Sequence, residues 1–380
     1  MVAPTSEKAV LILGGCGFVG FHIVNHFVKD QFFSSVAVVS RTAAKSTNRV
    51  DGATYHEGDL KDQESIRRVF DQIKPCLIIN AACPSPVTGT LGEYNLVTVK
   101  GTQCLLKLAQ ESKDVQALIY ISSCTLAKGA EHLELTEDYP LANTDPKSSA
   151  YARTKALAEI SVLKANKPFP LDKTSPDASW AGYLLTSALR FPIVYGTHDP
   201  VGIPACLNAL KKGQTNVQLG DGKNLWSFCS AHNACVATSI LARRLLGLID
   251  VPEMSHDTKV DGEAFNIHDG ESHLFWGYAR TVWRLAGHKP NNERLISIPA
   301  GLVLALASFL EWIFWIFSLG TKRPYQLGKQ QVEYACFTHT YSIEKAKKRL
   351  GFNPVQTFEK SLNEAVTWSM ENGGWGKKSK

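Results

Sequence analysis

Residues 9–20 read Ala-Val-Leu-Ile-Leu-Gly-Gly-Cys-Gly-Phe-Val-Gly. An unbroken apolar run, short enough for a buried strand, passes directly into glycines at 14, 17 and 20. An amphipathic helical pattern, Phe18–Lys29, follows at once. Gly14 permits a tight turn, Gly17 a close backbone approach to a pyrophosphate, and Gly20 tight packing of helix on strand. Phe18 opens the helix whose free N–H groups would face the phosphates. A glycine triplet by itself is weak evidence, and its context has to carry the reading.

Working outward, further apolar, β-rich runs lie at Val36–Ser40, Ala53–His56, Cys76–Ala81, Ala117–Ser122 and Tyr183–Arg190. Helical patterns fall between them at Glu64–Ile73, Leu91–Ser112 and Ser149–Lys164. Strands this apolar, alternating with helices, predict a parallel sheet covered on both faces. The fold class is therefore α/β, a doubly wound Rossmann-type sheet whose ligands bind at the carboxyl ends of its strands. Past Gly196 the alternation loosens, so residues 1–196 are expected to form the dinucleotide-binding domain and residues 197–380 a smaller, mixed substrate lobe. Ala165–Ala181, with three prolines, reads as a surface insertion.

The bulk properties agree. The 380 residues are 44% hydrophobic and 20% charged with a net charge of +6, which excludes disorder and gives no footing for nucleic acid. The nine cysteines form no CxxC pair and read as reduced thiols. No cationic stretch leads into an apolar segment ahead of the first strand, so a reducing, cytosolic setting is expected. Apart from His22 and His26, the histidines show no ligand spacing, and no metal is expected.

The second strand ends Val39-Ser40-Arg41-Thr42. An acidic residue there would bind the ribose hydroxyls of NAD; a cation suits the 2′-phosphate of NADP, so Arg41 tilts the NAD(P) expectation toward NADP. Asp59, in Gly58-Asp59-Leu60, is a candidate adenine contact. Tyr151 and Lys155 stand at i and i+4 on a helix start, where both face one cleft. An ammonium beside a phenol favours the phenolate, making Tyr151 a candidate general base. Ile121-Ser122-Ser123 closes a strand, and Ser123 is placed to hold a substrate oxygen.

Glycine turn, Ser123, Tyr151 and Lys155 together resemble the extended short-chain dehydrogenases along nearly the whole chain. Further matches are Gly58-Asp59-Leu60, Asn80-Ala81-Ala82, Gly101-Thr102, Arg190–Gly196 and Lys345–Pro354. The resemblance implies that Leu60 and Ala81 touch the cofactor, and that Pro192 and Val194 line its nicotinamide end. Gly262–Ile267 with Phe275-Trp276 and Ala279–Trp283 is similar, more narrowly, to the 3β-hydroxysteroid dehydrogenase family. That likeness implies oxidation of a ring hydroxyl on a hydrophobic small molecule. The same aromatics, read without it, are simply core packing. Three departures stand out: Thr98 where the superfamily often has a relay asparagine, no acidic NAD determinant, and Thr238 where a histidine is common. Two rivals share the fold: a nucleotide-sugar epimerase or dehydratase, and a non-catalytic cofactor sensor.

Leu302–Leu319 is almost wholly apolar around Glu311. As a helix it would be about 27 Å long, near a bilayer core of roughly 30 Å. Ser308, Glu311, Trp315 and Ser318 recur at helical spacing, which predicts a helix lying in an interface or capping the cleft rather than spanning. Lys322 and Arg323 follow as candidate headgroup contacts. Peripheral or monotopic membrane contact is the expectation, at the cytosolic face of the endoplasmic reticulum or else in the cytoplasm, with a homodimer left open.

Overall fold

The computed structural model describes residues 8–170, 179–247, 258–289, 295–318 and 328–375. Its centre is a seven-stranded sheet in the spatial order Glu263–Asn266, Leu185–Phe191, Ala117–Ser123, Leu77–Asn80, Ala9–Leu13, Ser35–Ser40 and Thr54–Glu57. Every pairing in it is parallel. Chain order reverses between Ala9–Leu13 and Leu77–Asn80, so a crevice opens at the carboxyl ends of these two strands.

Both faces are covered, as the apolar runs require. Phe18–Asp30, Ala231–Leu245 and Glu344–Leu350 pack on one side around Ile12, Phe27 and Leu241. Gln63–Ile73, Gly101–Glu111 and Ala150–Lys164 pack on the other around Leu11, Ile66 and Leu105. Nine free thiols are present, none of them bridged.

Residues 1–196 and 197–380 interlock rather than separate. The edge strand Glu263–Asn266 comes from the second region and pairs with Leu185–Phe191. In return His132–Leu135 pairs with His339–Tyr341 in a second sheet, which also contains Leu225–Ser230 and Ser272–Leu274. The two regions are thus joined by exchanged strands and are not separate bodies in space. Hydrophobic patterning marks a strand but not the sheet that it joins.

The helix expected over Leu91–Ser112 is built in three pieces: an α-turn at Leu91–Glu93, a π-helical stretch at Tyr94–Lys100 and an α-helix at Gly101–Glu111. Thr90 and Glu93 cap its start reciprocally. At Gly101 a Cβ would sit 2.9 Å from the Leu60 Cβ, so glycine lets the helix press against the Gly58-Asp59-Leu60 loop.

The aromatics of Phe275–Leu285 are core. Trp283 donates to the Cys206 carbonyl at 2.8 Å, Trp276 to the Leu219 carbonyl at 3.0 Å, and Phe275 packs on Trp226. Thr238 is buried in its helix, donating to the Ala234 carbonyl at 2.7 Å.

Candidate active site

The glycine turn has the geometry that its sequence asks for. Gly14 sits at φ +79°, and a Cβ there would lie 2.8 Å from the Ala82 backbone. A Cβ on Gly20 would collide with the Gly14 carbonyl oxygen. Gly17 starts the helix Phe18–Asp30 with no side-chain cap, so first-turn N–H groups are left for an acceptor.

A groove of about 280 Å³ opens beside this turn. Gly14, Gly17, Arg41, Asp59, Leu60 and Ala81 all line it. Phe18, Gly20, Tyr151, Lys155, Pro192 and Val194 are not among its lining residues. Gly20 serves the packing beneath, and Val194 packs on the sheet core within a strand, Ile193–Tyr195, that pairs with Leu225–Ser230. Asp59 also shapes its own loop: its carboxylate accepts the Lys61 N–H at 3.0 Å, and its N–H donates to Ser65 Oγ at 3.1 Å. A cradle of glycines that any Cβ would fill, at a helix N-terminus, fits a dinucleotide.

Among the groove residues that escaped the sequence reading are Lys61, Cys83 and Glu93. Glu93 sits opposite Arg41 and Lys61; hydrogen bonds from Thr90, then these two cations, hold its carboxyl below the usual range. The Thr-x-x-Glu spacing of Thr90 and Glu93 was the available signal. Cys83 carried none.

Ser149 caps the helix Ala150–Lys164 by accepting the Ala152 N–H at 3.1 Å. Tyr151 therefore stands in the first turn, beside the end of the strand Ala117–Ser123. The Ser123 hydroxyl, bonded to Thr125 Oγ1 at 2.9 Å, lies close enough to the Tyr151 phenol to act on its titration. Burial pushes that phenol well above its ordinary value, while the neighbouring Ser123 hydroxyl acts to lower it. Lys155 is buried and has a backbone partner of its own. Its ammonium donates to the Ile121 carbonyl at 2.7 Å and lies 4.6 Å from the centroid of the Tyr120 ring. The groups that act most on the Tyr151 phenol are Cys83, Ser123, Tyr334 and Tyr94. Sequence spacing placed the two side chains on one face; it did not reveal the carbonyl waiting for the ammonium.

Arg190 turns away from the cleft. Its Nε meets both Glu159 oxygens at 3.1 Å, and its other donors reach Glu159 Oε1 at 2.6 Å and the Glu137 carbonyl at 3.0 Å. Since Glu159 lies two turns beyond Tyr151, this buried pair pins the Tyr151 helix to the sheet. Thr98, in the π-helical stretch, is buried with its hydroxyl 3.6 Å from Cys83 Sγ. Among the described residues no cluster could hold a metal ion.

A glycine turn at the switch point of a doubly wound sheet, with a Ser–Tyr–Lys set at the neighbouring strand end, defines an extended short-chain dehydrogenase. Residues 11–298 match the model of the 3-beta hydroxysteroid dehydrogenase/isomerase family, and the chain belongs to that family. It is a nicotinamide-dependent oxidoreductase. Sterol-4-alpha-carboxylate 3-dehydrogenase, decarboxylating, of Schizosaccharomyces pombe is 30% identical, with 95% of this chain and 97% of that protein aligned. The Bos taurus protein of that name is 28% identical over 94% of this chain and 92% of its own length. A solved UDP-glucose 4-epimerase from Thermotoga maritima, with UDP-glucose, superposes with a TM-score of 0.65 at 18% identity, covering 96% of this chain and 99% of that one. That last likeness concerns the fold alone.

Proposed function

We propose that this enzyme oxidises a 3β-hydroxyl on a sterol, triterpenoid or meroterpenoid ring to the ketone, and that a 4-carboxyl group, where the substrate carries one, is lost as carbon dioxide. The observation that carries this reading is the Ser123 hydroxyl and the Tyr151 phenol brought side by side at the strand end, in a chain so similar to decarboxylating sterol dehydrogenases. Ser123 would hold the carbinol oxygen, and Tyr151 would take its proton. Lys155 would hold the cofactor ribose and keep the Tyr151 helix in register with the strand that ends at Ser123. Bound in the groove, the nicotinamide cofactor supplies the hydride acceptor. Gly14, Gly17 and the first-turn N–H groups would cradle its pyrophosphate, with Asp59, Leu60 and Ala81 at the adenosine side and Pro192 and Val194 toward the nicotinamide.

Oxidation at C3 of a 4-carboxylate gives a β-keto acid. The C4–carboxyl bond then breaks, its electron pair passing into the enolate of the new ketone, and a proton returns to C4. No additional residue is required, so the substrate decides whether carbon dioxide leaves. Arg41 and Lys61 at the groove's outer end favour NADP through its 2′-phosphate. The apolar helix Ala300–Ser318 favours a substrate drawn from a membrane, with the chain at the cytosolic face of the endoplasmic reticulum.

Purified enzyme should reduce NADP or NAD when given a 3β-hydroxy-4-carboxy sterol, with carbon dioxide released. Reduction without carbon dioxide is expected for the same sterol lacking the carboxyl group. Failure with all such sterols, together with tight binding of a nucleotide sugar, would replace this reading by the epimerase or dehydratase one.

A further inference from the structure

A second cavity, of about 270 Å³, is walled by the helices Phe18–Asp30, Ala231–Leu245 and Phe358–Asn372 and by the turn after Ile193–Tyr195. It shares no lining residue with the glycine groove. His22, Asn25, His26 and Lys29 follow one another at helical spacing, so a single helix face supplies all four to this space. His22 Nε2 lies 2.7 Å from the Thr197 carbonyl, which can only accept, so that nitrogen donates. The side chains of Asn25, His26, Lys29 and His232 have no hydrogen-bond partner among the described residues. Nor could any three groups there hold a metal ion, which takes the His22/His26 spacing out of ligand chemistry.

The helix Ala231–Leu245 begins at the cavity. Ser230 caps it by accepting the Asn233 N–H at 3.1 Å. The first-turn N–H groups of Ala231 and His232 are left without an intrahelical partner. A Cβ on Gly196 would stand 2.8 Å from the Ala231 Cβ, so glycine is what lets the turn close against this helix start. A helix start alone makes no site. The independent feature is Ser361, which is 6% exposed, lies in the cavity wall and has a hydroxyl with no hydrogen-bond partner. The Tyr195 hydroxyl, also in the wall, is spent on the Asp269 carboxylate at 2.7 Å. Glu364, the one carboxylate lining the cavity, is exposed at its rim and accepts Gln356 Nε2 at 2.9 Å. Free donors therefore outnumber free acceptors, and a buried hydroxyl without a partner favours any ligand that supplies one. Acceptor oxygens bearing negative charge match that surplus and the positive end of the helix.

We propose that this cavity binds a phosphate group, as the free ion or as a small monoester. Ser361 and the Ala231 N–H meet it at the buried end, and Lys29, His26 and His232 close over its charge at the open end. A volume just under the roughly 300 Å³ at which small-molecule sites begin suits so small a ligand. The site stands apart from the cofactor groove, and its assignment does not depend on the substrate.

The test is calorimetric titration of inorganic phosphate into the full chain saturated with its nicotinamide cofactor, at an ionic strength held constant with sodium chloride. One equivalent should bind although the glycine groove is filled. Ser361→Ala should weaken that binding about tenfold, since a hydrogen bond to a charged group is lost. Lys29→Gln, at the exposed end, should weaken it about threefold. Lys212→Gln removes an exposed cation away from the cavity and should leave the affinity as in the parent. No binding in the cofactor-saturated enzyme overturns the proposal, as does an unchanged affinity in either cavity variant. An equal loss in Lys212→Gln overturns it too, because the ion would then be held by overall charge. Should Ser361→Ala fail to fold, Lys29→Gln decides alone. Glycerol 3-phosphate binding tighter than phosphate assigns the site to an ester, and the reverse order to the free ion; either upholds a phosphate site.

Discussion

Arg41 stands where the second strand delivers its last residue to the groove, and its surroundings decide how a 2′-phosphate would be received. Lys61 lies on the adjoining loop beside Asp59, the groove's other carboxylate, and with Arg41 it acts on the Glu93 anion at the mouth. The anion is already satisfied by Thr90, whose N–H and hydroxyl each approach Glu93 Oε2 at 2.9 Å. A phosphate therefore gains an ion pair without having to displace one. Arg41→Asp should reverse the preference: the carboxylate would repel the phosphate and accept from ribose hydroxyls. An ion pair with a partly exposed phosphate contributes on the order of 1–2 kcal/mol, so the ratio of kcat/KM for NADP over NAD should fall at least about tenfold. An unchanged ratio would show that Arg41 does not face the 2′ position. Residue types alone pointed to Arg41, which lines the groove, and to Ser123 and Tyr151, which stand side by side. Lys155 and Arg190 were foretold in place but not in partner, because Ile121 and Glu159 are brought to them by strand pairing and helix packing that no local pattern encodes.

At the scale of the element, the helix Ala300–Ser318 is apolar yet barely part of the core. Its Ala300–Phe317 stretch has a mean hydropathy of 2.0, yet only Val303 and Ala307 are buried in it. They pack on Val332 of the following helix. Trp312 is 60% exposed, Trp315 61% and Phe317 85%. Glu311 is not set in the apolar face. Its Oε1 accepts the Lys329 N–H at 2.8 Å and so caps the helix Lys329–Cys336. The polar stripe expected from Ser308, Glu311 and Trp315 is thus broken, since Glu311 serves the protein while Trp315 faces out; the Ser318 side chain, Lys322 and Arg323 lie outside the described residues. Leu302, Leu306, Phe309, Trp312 and Ile316 instead form a continuous outward face at helical spacing. Such a face suits the boundary between headgroups and acyl chains. Phe309→Glu combined with Trp312→Glu should weaken co-sedimentation with phosphatidylcholine vesicles roughly tenfold or more, since each charge opposes burial in lipid. Thermal unfolding should stay near that of the parent, because neither side chain is buried. If instead the parent is a dimer in solution and the double variant a monomer without any loss of vesicle binding, this face is a subunit contact.

For the molecule as a whole, the doubly wound half was legible because its signals are local: apolar strands, turn glycines and helix caps. The second lobe was not, since its sheet is closed by the strand His339–Tyr341, whose partners lie more than a hundred residues away, and its polar groups find partners only there. His132 and His339 show what that assembly entails. Both are buried, 2% exposed, where the two regions of the chain interlock. His132 Nδ1 lies 2.7 Å from the Tyr341 hydroxyl, and the His339 ring packs on Trp226 with centroids 4.5 Å apart. Burial lowers His132 to about 4, and burial with the neighbouring His132 lowers His339 to about 3. In the unfolded chain both return to about 6.5. Below that pH the unfolded state binds protons that the folded state refuses, so stability is full above about pH 6.5 and is lost as pH falls toward the folded values. Each histidine contributes a slope of about 1.4 kcal/mol per pH unit within this window. Glu137, Asp199 and Asp269, raised by burial, act in the opposite sense, and their pull is greatest nearer the carboxylate range. The decline is therefore cleanest between about pH 6.5 and 5. Urea unfolding across that interval should show a steep loss of stability, and His339→Leu should flatten the slope by about 1.4 kcal/mol per unit. A slope identical in parent and variant would mean that His339 takes up its proton without unfolding the interlocked sheet.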